Sequence, residues 1–453
     1  MFDYKIKKYS EMDYFDDSQR VGLLYQNISS SHIRLLSPLS SLDGEDFTIY
    51  SIQGSDRNQF KKDLNNDIVL VDILIIERTL PSTLAELIVE KCRQYDVKII
   101  FEIDDDLINI DETHPQYEII SKNIEVVKYL ADNSDEVVVS TDYLKSKISE
   151  YNDNIMVIPN VLTHYWDVDN VMPKESKTFK IGYMGTITHK YDLDIVKEAV
   201  INISNYFSNK DQDFVFEVIG GSDEKLDWAR QIPVPKGKSD YPHFVEWLQE
   251  TVDWDLALAP IEDTPINRSK SNIKYLEYTG LNVPGVYSNI GPYKETIVDG
   301  KTGLIAENTV ESWQNNIIKL IEDEDLREDI LRNAREDIKS NYLLDDVVQS
   351  WIEVLSNNKK VKNNEYYEAL NESLISKVDL LFRDNVKIQK NNKNLKKESV
   401  KLKKENKNLK KENKMLKKEN KKIKKDYDEI KSSKSWRITK PLRKIISLFR
   451  RNK

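Results

Sequence analysis

A chain of 453 residues exceeds one typical domain and has room for two or three hydrophobic cores. Apolar residues make up 39% and charged residues 32%, and a single cysteine, Cys92, excludes an internal disulfide or a cysteine zinc site and fits a reducing compartment. The net charge of -9 conceals a division: from Val386 onward 27 Lys and Arg oppose 7 Asp and Glu, about +20, leaving about -29 for the rest, which excludes a nucleic-acid-binding core.

The first residues, MFDYKIKKYSEMDYFDD, contain no apolar core of the kind a signal peptide needs, so a cytoplasmic protein is expected. Short apolar runs then alternate with helical patterns, as in parallel sheets with crossover helices. The predicted strands are Val21–Gln26, Phe47–Ile52, Ile73–Arg78, Lys98–Ile103, Glu136–Ser140 and Ile155–Pro159, with helices over Leu84–Arg93 and Ile120–Ala131. The longest apolar stretch, DIVLVDILII, is short and broken by Asp72, so no segment is expected to span a membrane. SSSHIRLL starts a helix after the first strand and faces the expected cleft, which makes Ser31 and Arg34 candidates for its lining. A surface salt bridge is the other reading of Arg34. In FEIDDDL, Asp104, Asp105 and Asp106 either line an active site or cap the next helix, and three adjacent acids on one turn do not converge on a metal.

The pattern pauses over 160–177 and restarts with FKIGYMG, FVFEVIGG, DLALAP, PGVYSN and TGLIA. The segment NRSKSNIKYLEYTG, which follows WDLALAP, holds the strongest signal in the chain. A polar, basic loop leads into a helix from Ile273 to Thr279, with Asn272 as its N-cap and Gly280 as its left-handed terminator. Free backbone N–H groups and the positive helix end form a phosphate site, to which Arg268, Lys270 and Lys274 add charge and Ser271 and Asn272 add polar groups. Glu277 lies one turn inside, placed to accept from a ribose diol. The alternative is a solvated basic loop before an ordinary amphipathic helix. Helices over 312–341 and Asp346–Leu355 close the globular part.

Beyond Asn357 a polar linker and a helix-compatible stretch precede a strict heptad. Leu395, Leu402, Leu409, Leu416, Ile423 and Ile430 recur every seven residues at d, with Ser399, Asn406, Asn413, Asn420 and Tyr427 at a. Glu398, Glu405, Glu412 and Glu419 fall at g, with Lys396, Lys403, Lys410 and Lys417 at e, so a parallel homodimer is expected. A trimer and a single charged helix are the alternatives. KSWRITKPLRKIISLFRRNK ends the chain as a basic amphipathic helix suited to an anionic membrane, with docking on the acidic body or on nucleic acid as alternatives.

YMGTITH, FEVIGG, DLALAPIEDTPINRSKSNIKYLEY and GPYKETIVDGKTGLI, with FEIDDDL, STDYL and VIPN upstream, resemble the family-4-type glycosyltransferases that act on bacterial and archaeal surface polysaccharides. The resemblance runs from about Val21 to Leu355. It implies a GT-B fold: two doubly wound Rossmann-like α/β domains facing a cleft, here followed by a long coiled-coil helix. The expected units are an acceptor domain over 1–165, a donor domain over 166–356, a linker or helix over 357–391, the coiled coil over 392–431 and the basic tail over 432–453. The resemblance implies a retaining, metal-independent transfer of a sugar from a nucleotide-sugar donor, itself a substrate rather than a cofactor, to a glycan or lipid-linked acceptor. It places Gly185, Thr186 and Lys190 on the donor diphosphate, with His189 beside them, and makes Ser31, Arg34 and His189 acceptor-side candidates. Asp104 and Asp105 become the catalytic candidates. Three departures stand out. Lys190 sits one place short of the usual basic residue, Ser269 replaces the first of two paired glutamates, and the acids 104–106 stand where a histidine is usual. A catalytically weak scaffold subunit and a CDP-polyol phosphotransferase of the teichoic-acid type are the competing functions.

Overall fold

The computed structural model describes residues 5–439 except 13–17, 27, 43–45, 113, 115, 170–177, 187–189, 209, 211–212, 223 and 358–363, together with Pro441 and Arg443. Side chains are described for the same residues apart from Lys190, 364–394 and Val400. The chain divides into two units, Met1–Lys360 and Val361–Lys453.

The first unit holds two parallel sheets. One comprises β1 (Lys7–Lys8), β2 (Gln19–Leu24), β3 (Phe47–Ser51), β4 (Ile73–Glu77), β5 (Lys98–Ile103), β6 (Glu136–Val139) and β7 (Ile155–Val157) in the order β1-β3-β2-β4-β5-β6-β7. The other comprises β8 (Phe179–Gly185), β9 (Phe214–Gly220), β10 (Arg230–Ile232), β11 (Leu256–Ala259), β12 (Gly285–Ser288) and β13 (Leu304–Ala306) in the order β10-β9-β8-β11-β12-β13. Every pairing is parallel; Val21 lies opposite Ile73 and Gly185 opposite Gly220. Strands covered on both faces must be apolar throughout, which is why ILII and VVV are continuous runs rather than alternating ones. In each sheet the strand order reverses at one point, between β2 and β4 and between β8 and β11. Crevices at the carboxyl ends of such reversal points are where doubly wound sheets hold ligands.

The expected helix over Ile120–Ala131 is broken into Tyr117–Ile120, a 3-10 turn Ser121–Asn123 and Ile124–Asn133. The helical run after β2 contains a π-helical segment, His32–Leu36, between Ser29–Ser31 and Ser37–Leu39. A larger correction concerns the domain limits. Helix Leu344–Ser356, assigned from sequence to the second domain, packs into the core of the first: Val347, Trp351, Val354 and Leu355 cluster with Val21, Leu23, Ile75 and Ile100. Trp351 also donates from Nε1 to the Arg34 carbonyl (3.2 Å). The apolar stripe of that helix matches the face of the first sheet, so the chain returns to close it.

The helix Ile273–Gly280 ends differently from expectation. The left-handed residue is Asn282, with φ 60°, and the N–H groups of Asn282 and Val283 bond the carbonyls of Thr279 and Tyr278 (3.0 and 2.9 Å). That pair of bonds is a Schellman motif. Gly280 is needed for packing instead, since a Cβ there would lie 2.8 Å from the Trp166 ring.

In the second unit one helix runs from Asn364 to Ser432, so no break marks the sequence boundary at 391/392. Its d residues stay exposed in the single chain; Leu395 is 61% and Leu416 56% accessible. A short helix, Lys434–Ile438, follows, capped by Ser433, and Arg443 stacks 3.5 Å from the Trp436 ring. Most of the predicted tail helix lies outside the described residues. No helix among the described residues is long and apolar enough to cross a membrane.

Candidate active site

Within the first unit, the carboxyl ends of the two sheets enclose a cavity of about 270 Å³. The first domain contributes Ser29, Ser30, Ile33, Asp104, Asp105 and Asn160 to its wall. The second contributes an apolar part from Met184, Tyr241, Phe244, Ile261, Ile273 and Tyr293, and a polar part from Gly185, Thr186, Lys270, Ser271, Lys274 and Glu277.

The polar wall grows from one loop and one helix end. Thr264 caps a short helix, Pro265–Ser269, by accepting from the Asn267 N–H (3.3 Å), so part of the expected basic loop is helical. The chain leaves it at Lys270 and enters Ile273–Gly280, whose first turn presents Lys274 to the cavity. Lys274 is buried, and among the described residues it has no hydrogen-bonded or ion-paired partner, only the Tyr183 ring at 5.6 Å. Burial pulls its pKa down to about 8, with Asp192 opposing and Lys270 reinforcing the shift. Glu277, three residues on and so on the same face, is half-buried and likewise has no hydrogen-bonded or ion-paired partner among the described residues. Burial pushes its carboxyl up to about 7 against the pull of Lys274. Leaving a buried ammonium and a half-buried carboxylate without partners is costly, and a site that turns both toward one cavity can bind a ligand that satisfies both.

Opposite stand the acids after β5, and the structure separates them. Asp104 and Asp105 face the cavity and are held by one guanidinium: Arg78 Nη1 lies 2.5 Å from Asp104 Oδ1 and Nη2 lies 3.1 Å from Asp105 Oδ2. Asp106 is turned inward, where its Oδ1 accepts from the N–H groups of Ile108 and Asn109 (3.2 and 3.0 Å). It caps a turn, not a helix. Burial works against the Arg78 charge, but Asp104, Asp105 and Glu77 outweigh it and raise the guanidinium's pKa. Arg78 has φ 61°, a left-handed conformation rare outside glycine, and its N–H bonds the Glu102 carbonyl (2.8 Å). Strain of this kind, on the order of 1–3 kcal/mol, persists where surrounding contacts fix it. The two halves meet at Lys270, whose Nζ is 3.5 Å from Asp105 Oδ1.

Several sequence candidates lie elsewhere. Arg268 turns outward and pairs with Asp263 (2.5 and 2.8 Å), five residues back, so it does not line the cavity. Asn272 occupies the N-cap position without a side-chain cap and is buried against Tyr342. Ser31 donates to Glu77 Oε2 (2.8 Å) beneath the cleft. Arg34 is buried and ion-paired with Glu102, contrary to both the acceptor-side and the surface readings. The residues of that turn that do reach the cavity are Ser29, Ser30 and Ile33. Gly185 and Thr186 line it; a Cβ on Gly185 would lie 2.6 Å from the Tyr183 hydroxyl, so packing already requires glycine. His189 and the Lys190 side chain lie outside the described residues. Sequence reasoning missed Arg78 and Asn160. The one available signal was a polar residue closing an apolar strand at its carboxyl end, in IIER and in VIPN.

Ser269, the departure from the paired glutamates, is fully buried at the domain junction. Its Oγ accepts from the Asp106 N–H (3.0 Å) and donates to the Ile266 carbonyl (2.7 Å), and Thr141 donates to its carbonyl (3.0 Å). Among the described residues, no group of three or more His, Cys, Asp or Glu side chains is arranged to hold a metal ion.

Residues 272–337, which contain the helix bearing Lys274 and Glu277, match the family model described as glycosyl transferases group 1. HepE of Anabaena, solved in complex with UDP-glucose, superposes with a TM-score of 0.52 at 12% identity, covering 75% of this chain and 99% of HepE. Sucrose-phosphate synthase of Thermosynechococcus elongatus superposes with a TM-score of 0.50 at 11% identity, covering 74% and 98% of the two chains. The fold is GT-B. In sequence, the chain is 24% identical over 214 residues to an uncharacterised glycosyltransferase of Methanocaldococcus jannaschii, 46% of this chain and 56% of that one. The chain thus spans about half the length of that curated relative.

Proposed function

We propose that the protein is a glycosyltransferase that moves a sugar, of the hexose type, from a nucleotide-sugar donor to a hydroxyl of a surface polysaccharide or lipid-linked glycan, without a metal and with retention at the sugar carbon. The observation that carries this reading is the pair Lys274 and Glu277, unpartnered and facing one cavity at a helix N-terminus beside Lys270 and Ser271. A diphosphate satisfies Lys270, Lys274, the Ser271 hydroxyl and the helix end together, while Glu277 accepts from the ribose hydroxyls. Positive charge and oriented N–H groups take up the charge that develops on the leaving diphosphate, the work a metal ion does in other folds. Asp104 and Asp105, tied to Arg78 across the cavity, orient the acceptor hydroxyl. HepE, with the same fold, binds UDP-glucose, which makes UDP-sugars the first donors to test.

Two further assignments belong to this reading. The exposed d seam of the long helix pairs two copies in parallel, and the basic segment after it holds the enzyme on the anionic cytoplasmic face of a membrane. Incubation of purified protein with a panel of nucleotide sugars and CDP-polyols, with and without chelator, tests the chemistry. Release of nucleoside diphosphate from a nucleotide sugar, unchanged by EDTA, is expected. Turnover confined to a CDP-polyol, or abolished by EDTA and restored by a divalent ion, contradicts it.

A further inference from the structure

Asn160 follows β7 at the edge of the cleft, and its side chain is fixed from both ends. Its Oδ1 accepts from Arg34 Nη1 (2.9 Å), and its Nδ2 donates across the cleft to Ser271 Oγ (2.6 Å). A guanidinium only donates, so it selects the carbonyl end of the amide and turns the NH₂ toward Ser271. Arg34 has no freedom to do otherwise. It is buried, ion-paired with Glu102, and bonded to the Ile158 carbonyl (2.6 Å).

The consequence falls on Ser271, which lines the cavity beside Lys270 and Lys274. With its oxygen already accepting from Asn160, the hydroxyl keeps its proton for a second partner. We propose that Asn160 is a positioning residue for the ligand of the opposite domain: it fixes Ser271 as a hydrogen-bond donor directed at a phosphate oxygen. The buried Glu102–Arg34 pair sets the polarity of the whole chain, so a first-domain core determines how a second-domain hydroxyl is presented. This rests on the diphosphate reading above.

Asn160→Asp is the informative substitution because it keeps the shape and lets Arg34 neutralise the new charge. A carboxylate only accepts, so Ser271 has to donate its hydrogen bond to it, which reverses the polarity. Binding of UDP and of inorganic pyrophosphate is measured by calorimetry on wild type, Asn160→Asp, Ser271→Ala and the double variant. Each single variant is expected to bind both probes about tenfold more weakly, the scale of one hydrogen bond to a charged group. The double variant should bind no more weakly than Ser271→Ala alone, because Asn160 acts through that hydroxyl. Donor KM should rise while kcat changes little. Asn160→Ala, which breaks the bridge without adding charge, should cost about threefold, and nothing in the Ser271→Ala background. Wild-type affinity in Asn160→Asp, or losses that add in the double variant, overturns the inference. A wild-type protein that binds neither probe overturns the diphosphate reading itself.

Discussion

Burial brings Lys274 down to about 8 and Glu277 up to about 7, and the signs of the two shifts define a pH window. Glu277, raised to about 7, is protonated below that pH and is a carboxylate, able to accept from the proposed ribose, above it. Lys274, lowered to about 8, is an ammonium below that pH and loses its charge above it. Donor kcat/KM is therefore expected to follow a bell with limbs near pH 7 and 8, since this ratio reports the free enzyme's groups. Glu277→Gln should flatten the acidic limb, and Lys274→Arg should push the alkaline limb upward because arginine stays charged. Limbs that ignore both substitutions assign the titration to other groups. Lys270→Ala should lower donor kcat/KM by about 100-fold, the scale of losing one preorganised donor to the leaving group. Arg268→Ala should lower it by less than about threefold, since its partner is Asp263 and a half-exposed ion pair contributes little. Steady-state kinetics on the two variants separates them.

At the scale of elements, the buried strands were legible because parallel sheets leave continuous apolar runs in the sequence. Two strands were not: β1 and β10 are edge strands of two and three residues, KK and RQI, with no apolar signal. The basic loop was legible through its charge, but charge does not show which cation faces the cavity. Asp263, five residues before Arg268, decided that, and only the fold of Pro265–Ser269 brings them together. The triple acid likewise resolved only in three dimensions, with two side chains toward Arg78 and one folded back on its own turn. Gly280 read as a helix terminator and proved to be a packing contact. Gly280→Ala should therefore destabilise the protein by about 1–3 kcal/mol through overpacking against Trp166, measured by denaturant unfolding. In the second unit, Leu402, Leu409 and Leu416 replaced by Asp should convert a dimer to a monomer in sedimentation. A monomeric wild type contradicts the seam.

For the whole molecule, the helix Leu344–Ser356 carries the lesson about domain limits. Its amphipathic stripe announced a helix, while the surface that stripe covers lies more than 200 residues back in the chain, on the sheet of β2, β4 and β5. Trp351→Ala should cost about 3–5 kcal/mol and loosen the first domain rather than the second, since its neighbours are Val21, Leu23 and Ile75. The linking segment does the complementary work: Trp166 donates to the Tyr241 hydroxyl (3.1 Å) and packs in the core of the second domain. We propose that this cleft holds a nucleoside diphosphate on Lys270, Ser271, Lys274 and Glu277. The decisive measurement is the structure of the protein crystallised with UDP, and with a hydrolysis-resistant UDP-sugar. The diphosphate is expected within hydrogen-bond distance of Lys274 and Ser271, with the ribose on Glu277 and Asp104 and Asp105 across the cavity. A nucleotide seated elsewhere, with Lys274 and Glu277 still unpartnered, contradicts it.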